Sequence, residues 1–170
     1  MGEAPRLSRY VIILAPHTCN WDFPVAMLAA AGFGIRLSWL GKHTVFRWPV
    51  AGLLRRIGGI PVHRERREGI VAQIVAAYAA ADSLVIGMTP EGTRSRTPNW
   101  KSGFYHMATA AGVPIVPASF DRPSRRITIG PAVVPSGDVG ADMDRIRSFY
   151  AGARGIHPEK ASAIRLEEEG

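Results

Sequence analysis

Residues 10–22 read YVIILAPHTCNWD, an apolar run followed by a proline, a polar cluster and the start of a helical pattern. A run this short, closed by a helix-disfavouring proline, predicts a buried β-strand over Tyr10–Ala15 rather than a helix. The same grammar recurs along the chain. Further strands are predicted at Arg36–Leu40, Ile60–Val62, Ser83–Met88, Ile115–Phe120 and Arg126–Ile129. Helices are predicted at Trp21–Ala31, Phe46–Ile57, Gly69–Ala81 and Lys101–Ala111, with a helical tail from about Asp142. In the third of these, Ile70, Ile74, Ala77, Tyr78 and Ala81 recur at amphipathic spacing. Strands alternating with helices predict an α/β fold, a single domain with a largely parallel mixed sheet flanked by helices.

A length of 170 residues suits one domain spanning 1–170. With 46% apolar and 21% charged residues the chain is expected to fold rather than stay disordered. Its net charge of +7 favours an anionic partner, whether a phosphate ester, nucleic acid or a membrane surface. A lone cysteine, Cys19, excludes an intramolecular disulfide or a cysteine-based zinc cluster and makes a reducing compartment the default. No apolar stretch approaches the roughly 20 residues of a transmembrane helix. The mean hydropathy of +0.02 is nevertheless high for a basic protein, as suits one that sits on a bilayer. The acidic end, Glu167–Glu169, reads as a solvated tail.

Three polar clusters directly follow apolar strands: Pro16–Asp22, His63-Arg64, and Thr89–Ser95. If those strands run parallel in one sheet, all three emerge at its carboxyl edge, where open α/β sheets bind ligands. His17 and Asp22 would lie roughly 140° apart on one ideal helix and could not meet there. With His17 on the strand-end loop and Asp22 in the first helical turn, with Asn20 as N-cap, they can meet. The carboxylate would then fix the imidazole tautomer and leave the second nitrogen as a general base. A polar loop with a helix cap is the structural alternative. Cys19 raises a third reading, a Cys–His nucleophile, although side chains two residues apart tend to diverge.

Pro90-Glu91-Gly92-Thr93-Arg94-Ser95 combines backbone N–H groups, two hydroxyls, a glycine and a guanidinium just before a helical pattern, the parts of an anion cradle. A glycine-containing turn with exposed charges is its alternative. Glu91 repels phosphate and makes sense as a partner for a hydroxyl or for Arg94. No Walker-type or dinucleotide-binding glycine pattern is present, so nucleotide binding has little support. Nucleic acid is not expected either, because Trp39, Trp48, Phe104 and Tyr105 fit core or membrane-contact positions better than stacking platforms.

Together these clusters resemble the glycerolipid acyltransferase family, typified by the 1-acylglycerol-3-phosphate (lysophosphatidate) acyltransferases. The family's His-x4-Asp block resembles His17 to Asp22. Its Gly-x4-Arg block resembles Gly59 to Arg64, its Pro-Glu-Gly-Thr-Arg-Ser block Pro90 to Ser95, and its Val-Pro-Ile-Val-Pro block Val113 to Pro117. All four stand in the family's order within residues 16–117. The resemblance implies a glycerol-3-phosphate acyltransferase-like fold and transfer of a fatty acyl group from acyl-CoA or an acyl carrier protein to a lysophospholipid or related lipid hydroxyl. By that resemblance His17 and Asp22 are catalytic, while Arg64, Glu91, Gly92, Thr93 and Arg94 hold the acceptor's head group. No cofactor or metal is expected beyond the thioester substrate.

The sequence departs from the family at Pro16, where Asn is usual, at Cys19, where Ser is usual, at His63, where an acid is common, and at Thr89. Longer members carry a membrane-embedding segment ahead of the His block, which the 16 residues before His17 are expected to lack. The resemblance thus implies a cytoplasmic protein, peripheral at the inner face of an anionic membrane. A thioester or ester hydrolase using the same dyad, and a non-catalytic basic lipid-binding module, are the alternatives.

Overall fold

The computed structural model describes residues 5–17, 19, 21–63, 67–93, 95–121, 123–153 and 157–169. The apolar runs form six strands: β1 (Arg9–Leu14), β2 (Leu37–Lys42), β3 (Gly59–Val62), β4 (Leu84–Met88), β5 (Ile115–Asp121) and β6 (Arg126–Ile129). They build one sheet in the order β3-β2-β4-β1-β5-β6. All pairings are parallel except β5 with the short return strand β6. The helices are α1 (Asp22–Gly32), α2 (Ala51–Arg56), α3 (Arg67–Ala80), α4 (Gly103–Ala111) and α5 (Val139–Tyr150). This is the expected α/β domain with a mostly parallel mixed sheet.

Alternation along the strands sorts side chains onto two unlike faces. Val11 and Ile13 of β1 join Ile74 and Tyr78 of α3, Phe104 and Met107 of α4, and Met143 and Ile146 of α5 in the main core. Tyr10, Val85, Val116 and Ile129 face the other way, and Phe33 and Ile35, just after α1, pack against them. Three helices therefore bury one face of the sheet, while α1 covers the other. That imbalance leaves room for the groove described below.

Three sequence expectations are corrected. The helix expected over Phe46–Ile57 is only the six-residue α2, preceded by a 3-10 turn at His43–Val45. Pro49 is responsible, because a proline biases the residue before it away from helical geometry. The acidic end is not a free tail. Glu169 accepts from Arg147 at 2.7 and 3.0 Å and from the backbone N–H of Leu166 at 2.6 Å, and Leu166 is fully buried. The last helix also begins earlier than expected, where Asp138 caps it by accepting from the Ala141 N–H at 3.0 Å.

Tyr150, at the end of α5, fastens this helix to the sheet. Its hydroxyl lies 2.9 Å from the Ile13 carbonyl near the end of β1 and 3.1 Å from that of Ala118 in the middle of β5. Burial raises the tyrosine's pKa, so the hydroxyl stays a donor. Replacing Tyr150→Phe leaves buried carbonyl oxygen without this donor and is expected to cost about 1–3 kcal/mol, measured as a lowered urea midpoint at unchanged slope.

Candidate active site

The loops after β1, β3 and β4 do emerge at one carboxyl edge, since all three strands are parallel. β1 and β4 are also direct neighbours, with Ile13 opposite Met88. His17 therefore arrives beside the Thr89–Thr93 turn. The two loops are tied by Glu91, which is 1% exposed. One of its oxygens accepts the backbone N–H of His17 at 3.0 Å, and the other faces the backbone N–H of Ser162 at 3.5 Å. Burial pushes the Glu91 carboxyl above its ordinary value of 4.5, while the two N–H groups pull the other way.

His17 and Asp22 meet as the strand-loop-helix argument requires. Nδ1 of His17 lies 3.2 Å from Oδ2 of Asp22, with the histidine side chain 16% and the aspartate 5% exposed. The ring is turned off the line of a regular hydrogen bond, so Nδ1 has ion-pair proximity rather than a well-aligned partner. Loose dyads of this kind commonly tighten when substrate binds. Asp22 is the first residue of α1 and reaches back to accept the Cys19 N–H at 2.9 Å. A carboxylate there also complements the positive end of the helix dipole. The Cys19 thiol donates to the other oxygen, Oδ1, at 3.4 Å. Cys19 thus buttresses the aspartate, and its recorded sulfur contact is with Asp22 rather than His17.

The remaining sequence candidates are placed unevenly. Gly92 and Thr93 are exposed, and Gly92 lies with Lys101 in the groove lining. Glu91 is behind the loop rather than on its surface, with both oxygens turned to backbone N–H groups, so it positions His17 and offers no exposed atom to a head group. Arg64, Arg94 and the expected cap Asn20 lie outside the described residues. The turn does not lead directly into α4. Instead the chain is pinned to the C-terminal segment, with Thr97 N–H on Ser162 Oγ at 2.9 Å and Trp100 N–H on the Arg165 carbonyl at 2.8 Å. Among the described residues no three His, Cys, Asp or Glu side chains are grouped to hold a metal ion.

The dyad stands in the wall of a groove of about 1010 Å³. From His17 and Asp22 the groove runs between α1 and the sparsely covered sheet face, lined by Ala26 and Ala29 of α1, Ile12 and Leu14 of β1, and Ala118 and Ile129 on the far strands. Alanines on the inner side of α1 keep it open. Sequence reading missed this groove, and its signal was the i, i+3, i+4 set Ala26, Ala29 and Ala30, small residues on the one face of α1 that lines it.

Residues 3–121 match the sequence profile of a family described as Acyltransferase. A 1-acyl-sn-glycerol-3-phosphate acyltransferase of Escherichia coli (strain K12) is 30% identical over 172 residues, covering 92% of this chain and 69% of its own length. One from Haemophilus influenzae (strain ATCC 51907 / DSM 11121 / KW20 / Rd) is 38% identical over 85 residues, covering 46% of this chain and 35% of its own. Among solved structures, the 1-acyl-sn-glycerophosphate (LPA) acyltransferase PlsC from Thermotoga maritima superposes with a TM-score of 0.57 at 20% identity, over 86% of this chain and 64% of that one. At that identity the superposition shows a shared fold. The chain spans 69% of the length of the E. coli relative and 64% of the solved one.

Glu91 predicts a pH signature. A carboxyl whose folded pKa lies above its unfolded one binds its proton more tightly in the native protein. The stability this lends is complete below the ordinary value of 4.5 and is lost as pH rises through the raised value. Glu91→Gln removes this titration, so urea unfolding across that window should show a flatter pH dependence than wild type. Gln presents only one acceptor oxygen to two N–H groups, so turnover should also fall. Glu91→Ala, which leaves both donors bare, should lose more.

Proposed function

The chain belongs to the acyltransferase family, and on that premise we propose that it transfers a fatty acyl group from an acyl thioester to the hydroxyl of a lysophospholipid. The observation that carries this reading is a His–Asp pair in the wall of an apolar groove of about 1010 Å³. A hydrolase of small polar esters has no use for such a groove, whereas an alkyl chain gains roughly 0.8 kcal/mol for each methylene it buries.

In this mechanism Asp22 holds Nδ1 of His17 and leaves Nε2 as the base. Nε2 takes the proton of the acceptor hydroxyl as its oxygen attacks the thioester carbonyl carbon. The tetrahedral intermediate collapses, the carbon–sulfur bond breaks, and the imidazolium returns the proton to the departing thiolate. Asp22 steadies the positive ring between these events, and Cys19 keeps Asp22 in place through its N–H and thiol. No covalent enzyme intermediate is needed, because the substrate supplies the nucleophile. The thioester is acyl-CoA or acyl carrier protein, and the acceptor is drawn from the inner face of a membrane. On the sequence motif, Arg64 and Arg94 hold its phosphate with Thr93 beside them, while Gly92, whose own N–H goes to the Thr89 carbonyl at 3.1 Å, shapes the turn that presents them.

His17→Ala should reduce thiol release from acyl-CoA in the presence of a lysolipid by about 10²–10⁴-fold, the span of a positioned general base, with the circular dichroism spectrum unchanged. Wild-type turnover should require the added lysolipid. Thiol release at the same rate without it would convert the reading to a hydrolase.

If the groove takes the acyl chain, Ala26→Phe should shift the preferred donor to shorter chains while leaving turnover of a short-chain donor near wild type. An unchanged chain-length profile across a series of acyl-CoA substrates would place the alkyl chain elsewhere.

A further inference from the structure

The 3-10 turn and α2 carry an apolar surface that the proposed chemistry does not use. Trp48 is 91% exposed and Leu53 62%, and Val45, Val50 and Ile57 are exposed beside them. Val50, Leu53 and Ile57 follow the i, i+3, i+7 spacing of one helical face. Half of the ten large hydrophobic side chains exposed among the described residues thus fall between Val45 and Ile57.

These side chains are not awaiting a place in the core, because the inward position of the segment is already filled by Phe46. Its ring stacks on Trp39 at 5.8 Å between centroids and is seated over two glycines. A Cβ at Gly41 would come within 2.7 Å of that ring and one at Gly59 within 2.9 Å. Trp39 in turn donates its indole N–H to the Ile57 carbonyl at 3.1 Å. Phe46 and these contacts hold the segment against the edge of the sheet, and Trp48, two residues on, projects outward from a fixed base.

The charge around the patch identifies its occupant. From Phe23 to Arg64 the sequence has no aspartate or glutamate, while it contains Arg36, Lys42, Arg47, Arg55, Arg56 and Arg64. Arg47, Arg55 and Arg56 lie in the segment itself and are exposed. In a two-fold dimer through this patch the surface would face itself, bringing those arginines together with no carboxylate of the segment to pair them. An anionic bilayer matches both features, with acyl chains for the apolar side chains, phosphates for the arginines, and the interfacial layer for an indole.

We propose that residues 45–57 form a membrane-docking surface, with Trp48 and Leu53 inserted among the lipids and Arg47, Arg55 and Arg56 on their phosphates. Phe23 and Trp39, which line the groove, pack edge to face at 5.6 Å, and Trp39 carries Phe46 on its other side. Docking through this segment therefore sets the groove beside the bilayer. The proposal deepens the lipid-acceptor reading but does not depend on the chemistry, so an inert His17→Ala protein should still dock.

The test is co-sedimentation of the full chain with vesicles of phosphatidylcholine alone or mixed with phosphatidylglycerol. Wild type and His17→Ala should bind the anionic vesicles and not the neutral ones. The double variant Trp48→Ser/Leu53→Ser should bind about tenfold more weakly or worse, as expected for losing two buried apolar anchors. Arg47→Gln/Arg55→Gln/Arg56→Gln should fall to the neutral-vesicle level, and Val134→Ser, which removes an exposed apolar side chain outside the segment, should bind as wild type. All replaced side chains are exposed, and Trp48 fluorescence gives a second readout. Wild type minus Trp48→Phe should show a blue shift on anionic vesicles. Undiminished binding by the Trp48/Leu53 variant, absence of the shift, or a wild-type dimer that this variant dissociates would overturn the proposal.

Discussion

A buried carboxylate joins two segments 74 residues apart, and the dyad's placement depends on that contact. Parallel pairing of β1 with β4 brings their trailing loops side by side, but two loops at a sheet edge have no fixed separation of their own. Glu91 supplies it by accepting the His17 backbone N–H from below. Its other oxygen faces Ser162, so the C-terminal segment contributes to the same arrangement. A charged acceptor out of water is costly unless it is hydrogen-bonded, and here both donors are backbone N–H groups, of His17 and Ser162. The raised pKa of Glu91 is the physical trace of that cost.

The second constraint is the unequal dressing of the sheet. With α3, α4 and α5 on one face, the domain has a well-filled core there. The other face, covered by α1 and its small side chains, keeps an elongated apolar space with the dyad in its wall. A fully packed sheet would be more stable, so the open face is a concession of stability to function. The aromatic series Phe23, Trp39 and Phe46 extends from this groove to the exposed Trp48 segment, so the groove and the proposed bilayer contact share one structural support.

Much of this was legible in the sequence. The strand-proline-polar rhythm of residues 10–22 predicts β1, the loop and α1, and a separation of roughly 140° on one helix means that His17 and Asp22 can meet only across the helix start, where they lie 3.2 Å apart. What failed was whatever depended on direction. Glu91 lies in a motif of polar residues, and nothing local reveals that its side chain turns inward to the backbone of His17, 74 residues away. Cys19 looked like a competitor for catalysis and is a support for Asp22, a role fixed by a thiol contact that spacing alone cannot show. Glu169 looked solvated because its neighbours are acidic, yet Arg147 recovers it from α5. Pro49 disfavours helical geometry at Trp48, so the expected Phe46–Ile57 helix shrinks to Ala51–Arg56.

The central claim is that Asp22 holds the Nδ1–H tautomer of His17 and leaves Nε2 as a free base. Nitrogen-15 NMR of the imidazoles tests it directly, with the His17 signal assigned by its loss in His17→Ala among the five histidines of the chain. The account predicts that in the neutral ring Nδ1 carries the proton and Nε2 is bare, and that Asp22→Asn erodes this preference. A His17 protonated at Nε2 in the wild-type protein, unchanged by Asp22→Asn, would contradict it.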